Sequence, residues 1–432
     1  MDRKLRRTSL LILIVLTLPL FGFYSAMGQR TQFLHAPSNE LRTLTDAWRI
    51  MVPTAVLRNY IRFAPSSIFE YNPYQLCNDG EGGAYILWLN MTCWYDEDAG
   101  WIWYYPALYV QRINSTGYCQ WAEPVKLFDH REIALASQTN SPLKICPDGT
   151  GGAIIAWADL KDGYPNLYQH IYIQRITKNG TKLWDTTYPN VVNVWGVSDP
   201  TTGPQIASDG AGGAFIVWDD SRGMTGKSDL YIQYFNSTGD HQWTYNGLPI
   251  CTAPDNQRNP MVMSDGAGGA IVVWQDYRLS AWHIYIQHID STGTPQWSPW
   301  GLPICTTLNI PEQRTQIDTD GANGAIITWH TMSDIYAQRV DSMGALRWGS
   351  IGIKVCDATD IQKNPKISSD GAQGCFITWE DKRSGNYDIY VQHLNSTGGS
   401  LLKQNGMVIC NATGDQSLPQ IVSESSGGVV IT

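Results

Sequence analysis

Charge is scarce in this 432-residue chain, of which only 16% is Asp, Glu, Lys or Arg. It leans acidic, with a net of −9, and removing the first 28 residues, which carry four cations and one anion, takes it to −12. That balance argues against nucleic acid or an anionic membrane as a partner, since either needs a cationic surface. Beyond residue 60 there is no long stretch with the 3.6-residue apolar period of an amphipathic helix, and beyond the leader no apolar run could span a bilayer. Catalytic signatures are absent too: no nucleophile elbow, no His-Glu-x-x-His, no P-loop Lys-Ser/Thr, and the eight His are scattered. No catalytic residue, metal-ligand set or cofactor is therefore assigned.

Glycine and large aromatics are plentiful instead. The 40 Gly, 18 Trp and 22 Tyr favour strands joined by tight turns. The chain opens on Arg3, Lys4, Arg6 and Arg7, runs apolar from Leu10 to Tyr24 and reaches Ser25, Ala26 and Gly28, the layout of a secretory signal over residues 1–28. Counted to Met27 the run is 18 residues, near the lower limit for a span, so an uncleaved N-terminal anchor is the alternative. Either way the expected location is extracellular or the cell surface, with the membrane met only through that segment.

Nine Cys in an exported chain invite disulfide pairing, but the number is odd and Cys251, Cys305, Cys356 and Cys410 recur at one point of a repeat. One Cys per unit reads as a small buried side chain, because equivalent sites on neighbouring units stand too far apart to bridge.

The repeat is clearest from Pro204 to Trp218, with Ser208-Asp-Gly-Ala-Gly-Gly-Ala214 at its centre, and it recurs from Pro260 to Trp274 and from Pro365 to Trp379. Looser copies place Asp-Gly and Trp at Asp79 and Trp88, Asp148 and Trp157, and Asp320 and Trp329, so the Trp are spaced by 69, 61, 56, 55 and 50 residues. That interval is too regular for chance and too short for independent domains. Each unit divides into four strands. A short Pro-x-Ile strand leads to Asp-Gly-x-Gly-Gly, the positive-φ chemistry of a tight hairpin rather than a phosphate or calcium loop. Strand two is an unbroken apolar run such as Ala270 to Trp274, expected to be buried on both faces. Strand three carries Tyr109, Tyr172, Tyr231, Tyr285, Tyr336 or Tyr390 one or two residues before a Gln, and its alternation predicts one less buried face. After an Asn/Asp-Ser-Thr-Gly type of turn comes strand four, Trp243 to Cys251 or Trp297 to Cys305. The prediction is an all-β fold, a β-propeller of four-stranded antiparallel blades with six complete repeats and a partial seventh.

These motifs, SDGxGGAxxxW, then (D)IYxQ, then WxxxGxx(I)C, resemble the propeller-type repeats of large secreted prokaryotic proteins, most without an assigned activity. The resemblance covers about residues 72–432 and implies the fold but no chemistry. The Gly-His and Trp-Asp pairs of WD40 blades, the kelch pattern and the order of sialidase Asp boxes are not kept.

The seventh repeat begins at Pro419-Gln-Ile421, and its Trp would fall at 433, one residue past Thr432. The expectation is a truncated fragment, with the alternative that Leu57–Phe63 and the residues to Tyr71 supply the missing strands. Residues 29–71 match no repeat, and those up to about 56 are expected to form a short helix or cap.

Four features are candidate sites. The loop between strands two and three varies from 7 to 21 residues, counted from Trp to Tyr, and opens on the face that propellers use for binding. In repeat one it holds Trp94, Tyr95, Asp96, Asp98, Trp101, Trp103, Tyr104 and Tyr105, aromatics to stack on sugar rings and carboxylates to accept from hydroxyls; the alternative is that they cover a sheet edge. Asp159, Asp220, Asp276 and Asp381, two residues after Trp, are mostly followed by a cation (Lys161, Arg222, Arg278, Arg383), which reads as a local turn contact rather than an ion site. His288 and His393 share one strand-three position and read as structural. Six N-glycosylation sequons, at Asn90, Asn114, Asn179, Asn236, Asn395 and Asn411, coincide largely with the strand three-to-four turns. The functional expectation is a binding module for glycan or a surface protein. The alternatives are a propeller-fold polysaccharide lyase or glycoside hydrolase, with Asp96, Glu97 and Asp98 as the only crowded carboxylates, and a structural spacer.

Overall fold

The computed structural model describes residues 74–96, 101–129, 143–160, 169–184, 190–193, 203–222, 227–306, 315–423 and 428–432, with the short strands Leu10–Leu11, Gln32–His35, Arg42–Thr43 and Arg62–Phe63. The unbroken apolar runs become the second strands, and Ala214–Asp220, Ala270–Asp276 and Cys375–Asp381 are buried along their whole length. A run apolar on both faces is stable only between two covering layers, and here the neighbouring sheets supply them. Val272 and Trp274 of one sheet pack with Val217, Leu230, Ile232 and Cys251 of the sheet before it.

Among the described strands there are seven four-stranded antiparallel sheets and no helix. In the first six sheets the order follows the chain: inner, second, third and outer strand, as in Gln205–Ser208, Ala214–Asp220, Asp229–Phe235 and Leu248–Cys251. Inner strands of successive sheets are neighbours, from Tyr74–Asn78 through to Ile421–Ser423, so they surround a common axis. This is the β-propeller that the repeats predict.

The seventh sheet is assembled from both parts of the chain. Beside Ile421–Ser423 and Gly428–Ile431 lie Gln32–His35 and Arg42–Thr43, with Phe33 opposite Val430 and Leu34 opposite Val429. Of the segment expected in that place, Leu57 to Tyr71, only Arg62–Phe63 is among the described residues, and it pairs with Leu10–Leu11. Where a short helix or cap is expected up to about residue 56, Gln32–His35 and Arg42–Thr43 are strands and the other residues lie outside the described ones. Neither segment carries the Tyr-x-Gln signature of a third strand, so the repeat pattern had nothing to choose by. Apart from Leu10–Leu11, the leader over residues 1–28 lies outside the described residues.

Two strand expectations are corrected. The third strands are buried almost throughout, as in His283–Ile289 and Ile335–Val340, because the next sheet covers the face that the alternation left open. The outer strands are shorter than drawn: Leu248–Cys251 starts only after Asn246 and Gly247, both at positive φ, which separate it from Trp243.

The Asp-Gly hairpin closes the same way in six sheets, with Asn323 in the fifth and Gln373 in the sixth standing at positive φ where the first four have Gly. In the fourth, one Asp265 carboxylate oxygen, Oδ1, accepts from the backbone N–H of Ala267 (2.7 Å) and Gly269 (2.8 Å), while Oδ2 pairs with His288 Nε2 at 2.8 Å. The partner of Oδ2 is Arg112, Arg175, Tyr234, Arg339 and His393 in the equivalent places. The His positions are structural, as expected, and the hairpin is a turn. Each strand-three Gln is the second anchor: Gln287 Nε2 donates to Ser298 O at 2.9 Å, and its Oε1 accepts from Trp297 N at 3.0 Å, tying the entry of the outer strand to the third. Sheets are latched by Trp: the indole N–H groups of Trp121, Trp184, Trp243 and Trp348 donate to Lys178, Ser237, Ser291 and Ser396 carbonyls in the next sheet's turn.

Candidate functional site

Antiparallel order divides the loops between two ends of every sheet. The Asp-Gly hairpins and the Ser-Thr-Gly turns lie at one end; the second-to-third hairpins and the links between sheets lie at the other. That second end is where loop length varies.

Here the first sheet departs from the rest. Its second and third strands, Ala84–Asp96 and Trp101–Ile113, stay paired out to Asp96 opposite Trp101, whereas the later sheets stop at Asp220 opposite Asp229, Asp276 opposite His283 and Asp381 opposite Asp388. The expected loop is thus a projecting two-stranded ribbon, in which Trp94 stands opposite Trp103, Cys93 opposite Tyr104 and Tyr95 opposite Ile102. Alternate positions share a face, so 92, 94 and 96 fall together with 101, 103 and 105. Asp98 lies outside the described residues, as does Glu97. The pattern was read as a loop because Trp and Tyr serve strands and binding loops equally.

Aromatics that the sequence reading passed over stand on the same end. Tyr277 and Trp282, in the fourth sheet's second-to-third turn, have ring centroids 5.1 Å apart, and Lys363 Nζ sits 3.9 Å over the Tyr387 ring. Leu279 and Met332 are exposed in those turns. Their signal was available: they are the non-glycine residues between each Trp and the following Tyr-x-Gln.

The Asp two residues after Trp is a structural hub. Asp276, fully buried, accepts from Trp274 Nε1 (2.9 Å), Arg278 N (3.0 Å) and Arg278 Nε (2.8 Å), and pairs with Arg278 Nη2. Arg278 in turn lies over the Tyr285 ring at 4.1 Å and donates to Trp300 O at 2.9 Å and to Cys251 Sγ of the preceding sheet at 3.1 Å. Asp381 and Arg383 repeat every one of these contacts with Trp379, Tyr390, Asn405 and Cys356. Asp220 and Arg222 repeat the core of them, and the side chain of Asp159 lies outside the described residues. The local contact expected from the sequence is therefore present, and the recurring Cys is its neighbour. Burial pushes the Cys251 and Cys356 thiols up to about 12, so both stay protonated. Among the described residues no disulfide joins the Cys, and no group of three or more His, Cys, Asp and Glu could hold a metal ion.

Two carboxyls of the described residues are raised rather than lowered, Asp229 and Asp318. Burial raises the Asp229 carboxyl above its ordinary value, and the Asp220 carboxylate across the strand pair adds to the rise while Arg222 opposes it.

Of the sequons, Asn114, Asn236 and Asn395 open third-to-outer turns and Asn179 stands exposed within one. Asn90 is on the second strand of the first sheet opposite Ala107, and Asn411 is exposed just past an outer strand, at the other end of the sheet.

The chain matches no protein-family description and no curated protein. Among solved structures it is similar to an α-L-arabinanase of Penicillium chrysogenum complexed with arabinobiose, at 11% identity over 85% of this chain and 95% of that one, with a TM-score of 0.41. It is also similar to an α-L-arabinofuranosidase of Fusarium graminearum with an iminosugar inhibitor, at 9% identity over 77% and 95%, TM-score 0.40. A thermostable family-43 glycoside hydrolase follows at 15% identity over 53% and 77%, TM-score 0.27.

Proposed function

We propose that this chain engages glycan through the end of the propeller onto which the second-to-third hairpins open, and that it does so outside the cell or at its surface. The observation that carries the reading is the projecting ribbon of the first sheet, with Trp94, Trp101, Trp103, Tyr95, Tyr104 and Tyr105 on two paired strands held at a fixed register. Flat aromatic faces match the apolar faces of sugar rings at low entropic cost, and the acids Asp96 and Asp98 supply acceptors for hydroxyls. A surface protein is the other occupant that such aromatics fit. In the full-length chain, Trp101→Ala with Trp103→Ala weakens retention on a polysaccharide panel at least tenfold while leaving the melting temperature in place. Unchanged retention of every glycan that the parent binds overturns the reading.

The second reading is a propeller-fold glycoside hydrolase or polysaccharide lyase, and the similar solved structures, being glycoside hydrolases, correspond to this more closely than to a non-catalytic module. Within this chain it is favoured by Asp229, a carboxyl raised by burial and by its Asp220 neighbour, which is the direction in which a general acid is tuned. Release of reducing ends from arabinan or another polysaccharide, lost in Asp229→Asn or Asp96→Asn, establishes the enzyme; binding without turnover leaves the module.

A further inference from the structure

The third-to-outer turns are closed by one oxygen of their first residue, although in the two Asp turns the second oxygen also meets Gln296 or Arg347. In the turn at Asn236, Oδ1 accepts from Thr238 N (3.1 Å), Thr238 Oγ1 (2.7 Å) and Asp240 N (2.9 Å). Asn114 takes the same three bonds from Thr116 and Tyr118, and Asn395 from Thr397 and Gly399. Where the residue is Asp290, one carboxylate oxygen accepts from Thr292 N (2.9 Å), Thr292 Oγ1 (2.6 Å) and Thr294 N (2.9 Å), and Asp341 does likewise with Met343 N and Ala345 N. In the second sheet Thr177 Oγ1 plays the part. Asp and Thr have no amide nitrogen, so the turn does not use one. At positions 114, 236 and 395 the Asn Nδ2 is therefore surplus to the fold, on a turn whose second and third residues are exposed and whose third residue is the Thr of a sequon.

We propose that Asn114, Asn236 and Asn395 are N-glycosylation sites, and that their glycans coat the end of the propeller opposite the aromatic ribbon. The co-reactant is a lipid-pyrophosphate-linked oligosaccharide. The Asn Nδ2 forms the bond to its anomeric carbon, the bond to the pyrophosphate oxygen breaks, one amide proton is lost and the lipid pyrophosphate departs. The turn keeps its Oδ1 bonds through the step, because the modified amide still has its carbonyl. The two ends would then differ, one carrying these three glycans and the other the aromatic ribbon. The inference rests on the export reading of residues 1–28.

The test is secretion of the full chain from cultured animal cells, once with its own leader and once behind an animal-cell leader, followed by peptide mapping after enzymatic deglycosylation in heavy-oxygen water. Conversion of Asn114, Asn236 and Asn395 to labelled Asp is the expected result. Secreted, folded protein unlabelled at all three overturns the proposal, and retention only with the chain's own leader locates the failure in the export reading. Asn236→Asp discriminates further: it removes one glycan and keeps the melting temperature of enzymatically deglycosylated parent. A drop of more than ~2 °C, on the order of 2 kcal/mol for a chain of this size, means Nδ2 is not surplus and sinks the structural argument.

Discussion

Replacing Asp276 by Ala tests whether the repeated Asp after Trp holds the sheets together. The side chain is fully buried and accepts from Trp274 Nε1, Arg278 N and Arg278 Nε while pairing with Arg278 Nη2. Its removal leaves a guanidinium with a side chain 16% exposed and no carboxylate, and it takes the acceptor from the Trp274 indole N–H. Breaking a buried ion pair by removing one partner costs about 3–5 kcal/mol. Arg278 keeps Trp300 O, Cys251 Sγ and the Tyr285 ring, which holds the cost near the lower end. A loss of ~3 kcal/mol is a large share of the 5–15 kcal/mol that keeps a domain folded. Urea unfolding at pH 7, followed by tryptophan fluorescence, gives the loss as a fall in midpoint at constant slope. Asp276→Asn keeps one acceptor oxygen and falls between, at about 1.5–3 kcal/mol. Combining Asp276→Ala with Arg278→Ala costs less than the sum of the two, because the second change removes the orphaned cation. Thr331→Ala, at the equivalent place in the fifth sheet where no Asp exists, costs under about 1 kcal/mol. Asp276→Ala within 1 kcal/mol of the parent, or strict additivity with Arg278→Ala, refutes the reasoning.

The parts of the architecture that the sequence revealed are those that a single unit repeats. Asp-Gly-x-Gly-Gly, the apolar run to Trp and Tyr-x-Gln are each dictated by local geometry, a positive φ, burial on both faces or one buried amide, so they can be read residue by residue. The pairing of Gln32–His35 with Gly428–Ile431 has no local signature; it joins segments far apart in the chain, and only the backbone edge of the last sheet selects it. Burial of the third strands was hidden for a related reason, since their alternation describes one sheet and the covering face belongs to the next. The hub at Asp276 was half legible: Asp and Arg two residues apart announce a turn contact, but Cys251 and Trp300 reach it from elsewhere. The aromatic ribbon shows the opposite limit. Its composition stood out at once, yet its form as paired strands did not, because Trp and Tyr satisfy a sheet as readily as a loop.

The remaining predictions follow from side chains whose space or charge the repeat has fixed. Gly269→Ala costs more than Gly266→Ala: an added Cβ at 269 overlaps Ile289 O and lies 2.5 Å from Asp265 Oδ2, whereas at 266, with φ +76°, it meets nothing within 4 Å. The second change bears only a left-handed backbone penalty of about 1–2 kcal/mol, so equal falls in thermal midpoint contradict the clash. In acid, Asp148 and Asp381 act together. Burial alone would raise both, but the hydrogen bonds that Asp148 accepts from Thr150 and Arg175, and that Asp381 accepts from Arg383 and Trp379, hold them below the ordinary carboxylate value. Their contribution is complete above the unfolded value near pH 4 and is lost as pH falls through the lower folded values, so the urea midpoint drops below pH 4, and less in Asp381→Asn. His330 acts at higher pH. Burial, with Lys363 adding to it, lowers this imidazole to about 4 while its Nδ1 accepts from Asn364 N. The unfolded chain therefore binds one more proton than the folded one between about pH 6.5 and 4, and stability falls across that window as pH drops, by at most about 1.4 kcal/mol per unit. His330→Gln removes that slope and leaves the one below pH 4, and a variant with the parent's full pH profile from 6.5 to 4 shows that some other group carries the proton.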